Sequence, residues 1–329
     1  MESFVFAINA VLPLLLLVVL GYFLKRIKLF SDDFLAKGNK FCFYVALPVL
    51  LFKNIYDSSF IHIDWKLILF VVVTIFCVFF VGLILITLFC KDRSKKGVVL
   101  QAIFRSNFAY IGIPLASSLF AAGSLEAQET LAYVSLISVF AIPLFNILAV
   151  VSLTLFQNDK KVNLKKTFLG IVKNPLIIGT VIGILFIVIR TWIPSTSFFV
   201  RDELTFLYKT ITSIAHIASP LALIVLGGQF EFKAVKDLWK YILPTSVFRI
   251  VIVPLVILTI AVSLAIFDGP KIAALIALFA SPVAVASAIM AKEMNNDHIL
   301  AGQIVVWTTM ASGITIFLFI FVFKSLGYL

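Results

Sequence analysis

The sequence predicts an all-α membrane protein with ten transmembrane helices. Of its 329 residues, 62% are hydrophobic and 13% are charged, whereas soluble domains are nearer half apolar and a quarter charged. Crossing ~30 Å of hydrocarbon takes about 20 helical residues. Ten apolar segments approach or exceed this length, and they cover residues 4–24, 38–55, 66–90, 97–121, 130–156, 169–190, 208–230, 239–266, 271–292 and 298–324.

Lysine and arginine are distributed unevenly over the connections between these segments. Alternate connections hold 18 on one side and 7 on the other, and Arg105 and Arg249 lie inside segments. By the positive-inside rule the richer side is cytoplasmic. We therefore expect a multi-pass plasma-membrane protein with both termini extracellular. Basic runs wedged between apolar segments also argue against a nucleic-acid partner, despite the net charge of +11.

A basic connection at residues 157–168 divides the ten segments into five and five. Because each half has an odd number of spans, repeats at 1–156 and 169–329 would be inverted in the membrane. Prolines at corresponding places favour this reading: Pro48 matches Pro220, and Pro114 matches Pro282. The sequence thus predicts two inverted five-helix repeats joined by a cytoplasmic linker.

The apolar segments contain arginine but no acid. All sixteen acidic residues lie in connections or at segment ends, so the buried carboxylate that cation pumps usually need is missing. Arg105 and Arg249 each cost ~2.5–3.5 kcal/mol to insert. Two interpretations stay open: the arginines attract an anionic substrate, or they snorkel to the interface or bond to backbone carbonyls.

Proline near the middle of the fourth and ninth segments predicts broken helices. Proline disrupts a helix interior but suits the first position of a new helix. Ser281 and Pro282 are therefore expected as the N-cap and first residue of a half-helix, and Gly112 with Pro114 permit a similar restart. Two half-helix N-termini would offer free N–H groups and partial positive charge to an anion. Ordinary proline kinks are the alternative.

Asn107 and Asn146 have the chemistry to orient a carboxylate, although interhelical hydrogen bonding explains each equally well. The chain has no HExxH, P-loop, GxSxG or GxGxxG motif, and its three cysteines and three histidines form no metal-ligand spacing. We expect neither an enzyme nor a cofactor or metal site.

These residues resemble the auxin efflux carrier family, which includes plant PIN-type carriers and bacterial malate or malonate permeases. The resemblance covers essentially the whole chain. It is strongest at FYVALPVLLFKNI (43–55), RSNFAYIGIPL (105–115), KNPLIIG (173–179) and SPVAVASAIMAKEMNND (281–297).

The resemblance implies a bile-acid-carrier or NhaA-like architecture in which helices four and nine are broken and cross at the substrate site. It further implies a scaffold of spans one, two, six and seven, often dimeric, and a mobile domain of spans three to five and eight to ten. Carried over to this chain, Asn107 would contact the substrate carboxylate, and Pro114 and Pro282 would mark the crossing.

The leading hypothesis is alternating-access transport of a small organic anion such as malate. The short connection between spans five and six favours a microbial organic-acid carrier over a plant hormone exporter. Two alternatives remain: a sodium-coupled organic-anion symporter, and a membrane receptor or scaffold that transports nothing.

The predicted orientation can be tested by cysteine labelling. In a chain without Cys42, Cys77 and Cys90, a single cysteine beside Lys160 should resist an impermeant maleimide in intact cells, because its connection is expected in the cytoplasm. A cysteine beside Arg201, in a connection expected outside, is the control and should be labelled. Labelling beside Lys160 from outside would contradict the orientation.

Overall fold

The computed structural model describes residues 2–57, 64–112, 115–116, 119–120, 124–157, 169, 172–192, 204–230 and 232–329. This part of the chain is helical, with one isolated backbone bridge and no β-strand. Its main helices are α1 Glu2–Arg26, α2 Asp32–Phe41, α3 Leu47–Asp57, α4 Trp65–Phe89, α5 Arg93–Phe104, α6 Leu125–Leu155, α7 Pro175–Trp192, α8 Thr205–Gly228, α9 Phe232–Val247, α10 Val253–Ser263, α11 Gly269–Phe279, α12 Ala286–Glu293 and α13 His298–Ser325.

Three π-helical turns interrupt or extend these helices. Cys42–Ala46 joins α2 to α3, Phe248–Ile252 joins α9 to α10, and Phe108–Gly112 follows α5 after a short extended stretch. Most of the expected linker, residues 158–168, lies outside the described residues, as does Pro114.

Several acidic residues of the connections cap helices. Asp64, Asp92 and Asp268 precede α4, α5 and α11, and each side chain accepts a hydrogen bond from a backbone N–H of the first turn. Such caps satisfy one of the donors that every helix start leaves unpaired. The Ser94 hydroxyl and backbone amide donate to Asp92 and hold the pKa of this carboxyl below its ordinary value. These acids therefore define where helices begin.

The surface of the long helices is apolar as well as the interior. On α4 the side chains of Leu69 and Ile84 are 64% and 58% exposed, and on α13 Ile314 is 66% exposed. In the described part of the chain, six helical stretches are long and apolar enough to cross a membrane: Asp32–Lys53, Trp65–Phe89, Leu125–Leu155, Thr205–Gly228, Lys236–Ser263 and His298–Ser325. Exposed apolar faces on helices of this length suit lipid rather than water. A multi-pass membrane protein follows, while the number of ten crossings stays a prediction.

Two pairs of helices cross with their backbones in close contact. A Cβ on Gly227 of α8 would lie 1.9 Å from the Val18 carbonyl oxygen of α1, and one on Gly21 would lie 2.0 Å from that of Ile224. Likewise, a Cβ on Gly179 of α7 would lie 2.4 Å from the Pro48 carbonyl oxygen of α3. Small residues allow such approach between membrane helices, where dispersion contacts replace the hydrophobic effect as the source of cohesion.

The fourth and ninth predicted segments are both interrupted. α5 ends at Phe104 and the following residues, Arg105 to Asn107, are not helical; α11 ends at Phe279, and α12 begins only at Ala286. The expected restart at Ser281 and Pro282 is therefore wrong. The cap of α12 is Val285, with no capping side chain. Residues 282–284, between α11 and α12, are instead paired through their backbone with the other break.

The glycine contacts can be tested by thermal unfolding. Gly227→Ala should lower the melting temperature of the purified protein by several degrees, because its Cβ meets backbone that cannot rotate away. Gly313→Ala in α13 is the matched control, since a Cβ there meets nothing within 4 Å. Equal melting temperatures for the two variants would mean that α1 and α8 do not pack in this way.

Candidate functional site

The two interrupted segments are paired through their backbones. Ser106 and Val283 form an antiparallel bridge. The N–H of Asn107 donates to the Pro282 carbonyl at 2.8 Å, and the N–H of Ala284 donates to the Arg105 carbonyl at 3.4 Å. Backbone outside a helix needs such partners at membrane depth, because lipid supplies none. We call this paired region, residues 105–107 and 282–284, the crossing.

The crossing lies before the middle of the fourth predicted segment and just past the middle of the ninth. α5 has 12 residues and α11 has 11, which corresponds to helices of about 16–18 Å at 1.5 Å per residue. The hydrocarbon layer is ~30 Å thick. Each of these helices is therefore too short to cross the layer by itself, and a break inside the layer would leave polar groups where they cost the most.

The carbonyl groups at the end of α11 are satisfied by side chains from three places. The Ser281 hydroxyl donates to the Ala277 carbonyl at 2.6 Å, and the Ser106 hydroxyl donates to the Leu278 carbonyl at 2.5 Å. Arg249 donates to the Phe279 carbonyl at 3.1 Å. Every helix end leaves carbonyls unpaired, and here each of the last three has a donor.

Arg249 is bound to backbone rather than exposed to a pathway. Its side chain is fully buried, and it also donates to the Ser281 carbonyl at 2.7 Å. A cation at a helix C-terminus is favoured by the helix dipole. The sequence left two interpretations of this arginine open. The contacts of Arg249 correspond to the second, in which it bonds to backbone carbonyls.

Gly112 lies where the two broken segments touch. A Cβ there would lie 2.6 Å from the Ala277 carbonyl oxygen and 2.5 Å from a ring carbon of Phe108. Glycine is thus required for close approach of the Phe108–Gly112 turn to α11. The interruption comes earlier, at Arg105, where backbone pairing replaces helical hydrogen bonds.

A small cavity of about 50 Å³ lies beside the crossing. It brings together three of the polar residues that the sequence identified, Arg105, Asn107 and Asn146, and none of its described lining residues is acidic. The remaining lining residues are Leu47, Leu50, Leu51, Ser106, Phe108, Ile142, Phe145, Leu176, Ala284 and Ala286.

Hydrogen-bond donors predominate among the polar groups of this cavity. Arg105, 4% exposed, donates to Asn146 Oδ1 at 2.7 Å and also contacts the Met290 sulfur. Because a guanidinium can only donate, the Asn146 amide must turn its oxygen to Arg105. Its Nδ2 then has no partner in the described residues, and neither has Nδ2 of Asn107. Buried donors without partners are rare in folded proteins.

The N-terminus of α12 also lines this cavity. Ala286, its first residue, lines the cavity. The next two N–H groups, of Ser287 and Ala288, donate to carbonyls just before the helix, so α12 contributes its dipole rather than free donors. The dipole of this helix places partial positive charge at this end. The cavity is therefore lined by a guanidinium, two amide donors and a helix N-terminus.

The structure distributes the sequence-predicted residues over three locations. Arg105, Asn107 and Asn146 line the cavity, Gly112, Ser281 and Pro282 belong to or adjoin the crossing, and Arg249 lies at the end of α11. Sequence reasoning missed Ser106, whose hydroxyl and backbone both serve the crossing. In the sequence, its position between Arg105 and Asn107 could have indicated that Ser106 belongs to the site.

A polytopic helical protein with a buried polar cavity between two broken membrane segments belongs to the class of membrane transporters. More specifically, the chain belongs to the membrane transport protein family, whose family model matches residues 6–320. The family that the sequence resembles, that of the auxin efflux carriers, is thereby confirmed.

Two relatives show how far the similarity extends. The chain is 25% identical over 267 residues to an uncharacterized transporter of Methanocaldococcus jannaschii. This match covers 77% of this chain and 78% of that protein. It is also 25% identical over 182 residues to the lysosomal cholesterol signaling protein of Mus musculus. That match covers 52% of this chain but only 20% of the mouse protein.

The role of Arg249 can be tested by removing its charge and donors together. Arg249→Met should lower the melting temperature, because two buried carbonyls lose a donor at ~1–3 kcal/mol each. Arg26→Met, the same change at an exposed arginine on α1, is the control and should have little effect. A variant that unfolds like the wild type would show that the carbonyls of Phe279 and Ser281 do not depend on Arg249.

Proposed function

We propose that the protein is a secondary carrier that moves small organic carboxylates by alternating access. The observation that carries this proposal is the cavity lined by Arg105, Asn107 and Asn146. These residues contribute one guanidinium and two buried amide donors without partners in the described residues, and none of the described lining residues is acidic. A carboxylate accepts from several donors at once and is favoured by the positive charge. A cation would find repulsion there.

The size of the cavity supports a moving carrier over an open channel. About 50 Å³ is room for a small polar group or a few waters, not for a whole dicarboxylate. Substrate entry therefore requires the helices around the cavity to separate on one side. This is the movement that alternating access provides around a central site.

Helix packing supports the inverted repeats. If α1 corresponds to α7 and α3 corresponds to α8, then the close contact of α1 with α8 has an equivalent in the contact of α7 with α3. Both contacts are made through glycine against a backbone carbonyl. In this proposal these helices form the scaffold, and α4 to α6 with α9 to α13 form the mobile domain. A homodimer through the scaffold, and a plasma-membrane location, belong to the same proposal.

The alternatives make different demands on the site. A sodium-coupled symporter needs a second site built from oxygens, and the polar atoms described around this cavity are mainly donors. A receptor needs binding without flux. The name of the mouse relative concerns cholesterol signaling, but the chain matches about a fifth of that protein, so its activity carries little weight here.

Flux in proteoliposomes tests the proposal. Asn107→Ala should lower uptake of a radiolabelled organic acid at subsaturating concentration by about tenfold or more, the value of one hydrogen bond to a charged group. Asn107→Asp should abolish uptake, since it places a carboxylate in the cavity. Thr130→Ala is the matched control, because its hydroxyl is also buried and unpaired but lies outside the cavity.

The same vesicles separate the alternatives. Uncompensated movement of one negative charge across 100 mV is worth ~2.3 kcal/mol, so an imposed potential should change the wild-type rate. Loss of flux on replacing sodium with choline would indicate the symporter. Binding of organic acids without flux would indicate a receptor, and wild-type flux in Asn107→Ala would reject Asn107 as a substrate contact.

A further inference from the structure

A second and much larger cavity lies away from the crossing, between the end of α4, the middle of α5 and α9. Its volume is about 470 Å³, which is within the ~300–1,000 Å³ of ligand-binding pockets. None of its lining residues belongs to the cavity beside Asn107. It is a separate space in the protein, which we call the α4–α9 groove.

The groove has a basic end and an apolar end. Lys91 follows α4, and Lys240 lies near the middle of α9. The opposite end is lined by Val99, Ile103 and Phe248. Lys240 and Phe248 are eight residues apart along the chain, which gives about 12 Å at 1.5 Å per residue. The groove is therefore amphipathic along the direction of the helices.

Contacts of Tyr241, which lines the groove, bring Lys240 close to Lys95 near the start of α5. Lys91 lies four residues before Lys95 in the chain. The Nζ atoms of Lys95 on α5 and Lys240 on α9 lie 5.9 Å and 5.2 Å from the centroid of the Tyr241 ring. Lys95 is neutralised by Asp297 at 3.0 Å and Asp92 at 3.4 Å. Lys91 and Lys240 have no ion pair in the described part of the chain, so their charge is left for another partner.

We propose that the α4–α9 groove binds one anionic phospholipid of the surrounding bilayer. The headgroup phosphate would lie between Lys91 and Lys240, and one acyl chain would extend along Val99 and Ile103 toward Phe248. A basic pocket between membrane helices at the interface has the charge that anionic headgroups require. The apolar wall excludes a free phosphate ion as the natural occupant, because a small anion would leave that surface unfilled.

Lipid binding to detergent-purified protein tests the proposal by native mass spectrometry. Wild-type protein should bind one dioleoyl phosphatidylglycerol at least fivefold more tightly than dioleoyl phosphatidylcholine. The double variant Lys91→Gln with Lys240→Gln should lose this preference. Lys236→Gln with Lys324→Gln removes the same charge from exposed lysines outside the groove and should retain it.

The apolar end is tested separately, so that headgroup and chain are distinguished. Val99→Phe and the larger Val99→Trp should progressively weaken phosphatidylglycerol binding by filling the space of the chain. Inorganic phosphate should not compete. Equal affinity for the two lipids in the wild type, unchanged preference in the Lys91 and Lys240 double variant, full competition by phosphate, or wild-type affinity in both Val99 variants would overturn the proposal. Melting temperatures without added lipid identify any variant that fails to fold.

Discussion

The structure around the cavity depends on one constraint: a helix that stops at membrane depth must find new partners for its backbone. α11 ends at Phe279, and its last carbonyls receive donors from Ser281, Ser106 and Arg249. The extended residues that follow pair with the equivalent residues after α5. Neither break could persist in hydrocarbon alone, because each leaves backbone groups that the other helps to satisfy.

The pairing of the two broken segments gives the two buried arginines different environments. Arg249 is directed at the carbonyl end of a helix, where the dipole is negative, and so its charge is partly balanced by backbone. Arg105 bonds to the neutral side chain of Asn146, which leaves its charge largely uncompensated among the described residues. A buried cation without a counter-charge is costly. In the proposed function, that cost is the physical reason why an anion would be stabilised at this place and not beside Arg249.

Much of the architecture could be predicted from the sequence, because apolar length and basic connections act locally. Helix positions followed from them, whereas the family followed from the resemblance of stretches such as 105–115 and 281–297. Arg105, Asn107 and Asn146 became candidates because polar residues in apolar segments are few. The position of the restart did not follow. Proline at 282 suits a helix start, but its carbonyl is held by Asn107, a partner far away in the chain. The partners of Arg249 lie 30 and 32 residues later, and no local pattern reveals them.

Backbone pairing at the crossing also has a genetic consequence. Because Ser106 and Val283 are adjacent in space and contribute to one hydrogen-bonded unit, a damaging change in one half of the chain alters the surroundings of the other half. Second-site suppressors of a defect at Ser106 should therefore map to α11 or to the residues just after it, and not to its sequence neighbours. Substitutions in the two halves are then expected to be correlated during evolution, because each half must keep the shape that the other requires.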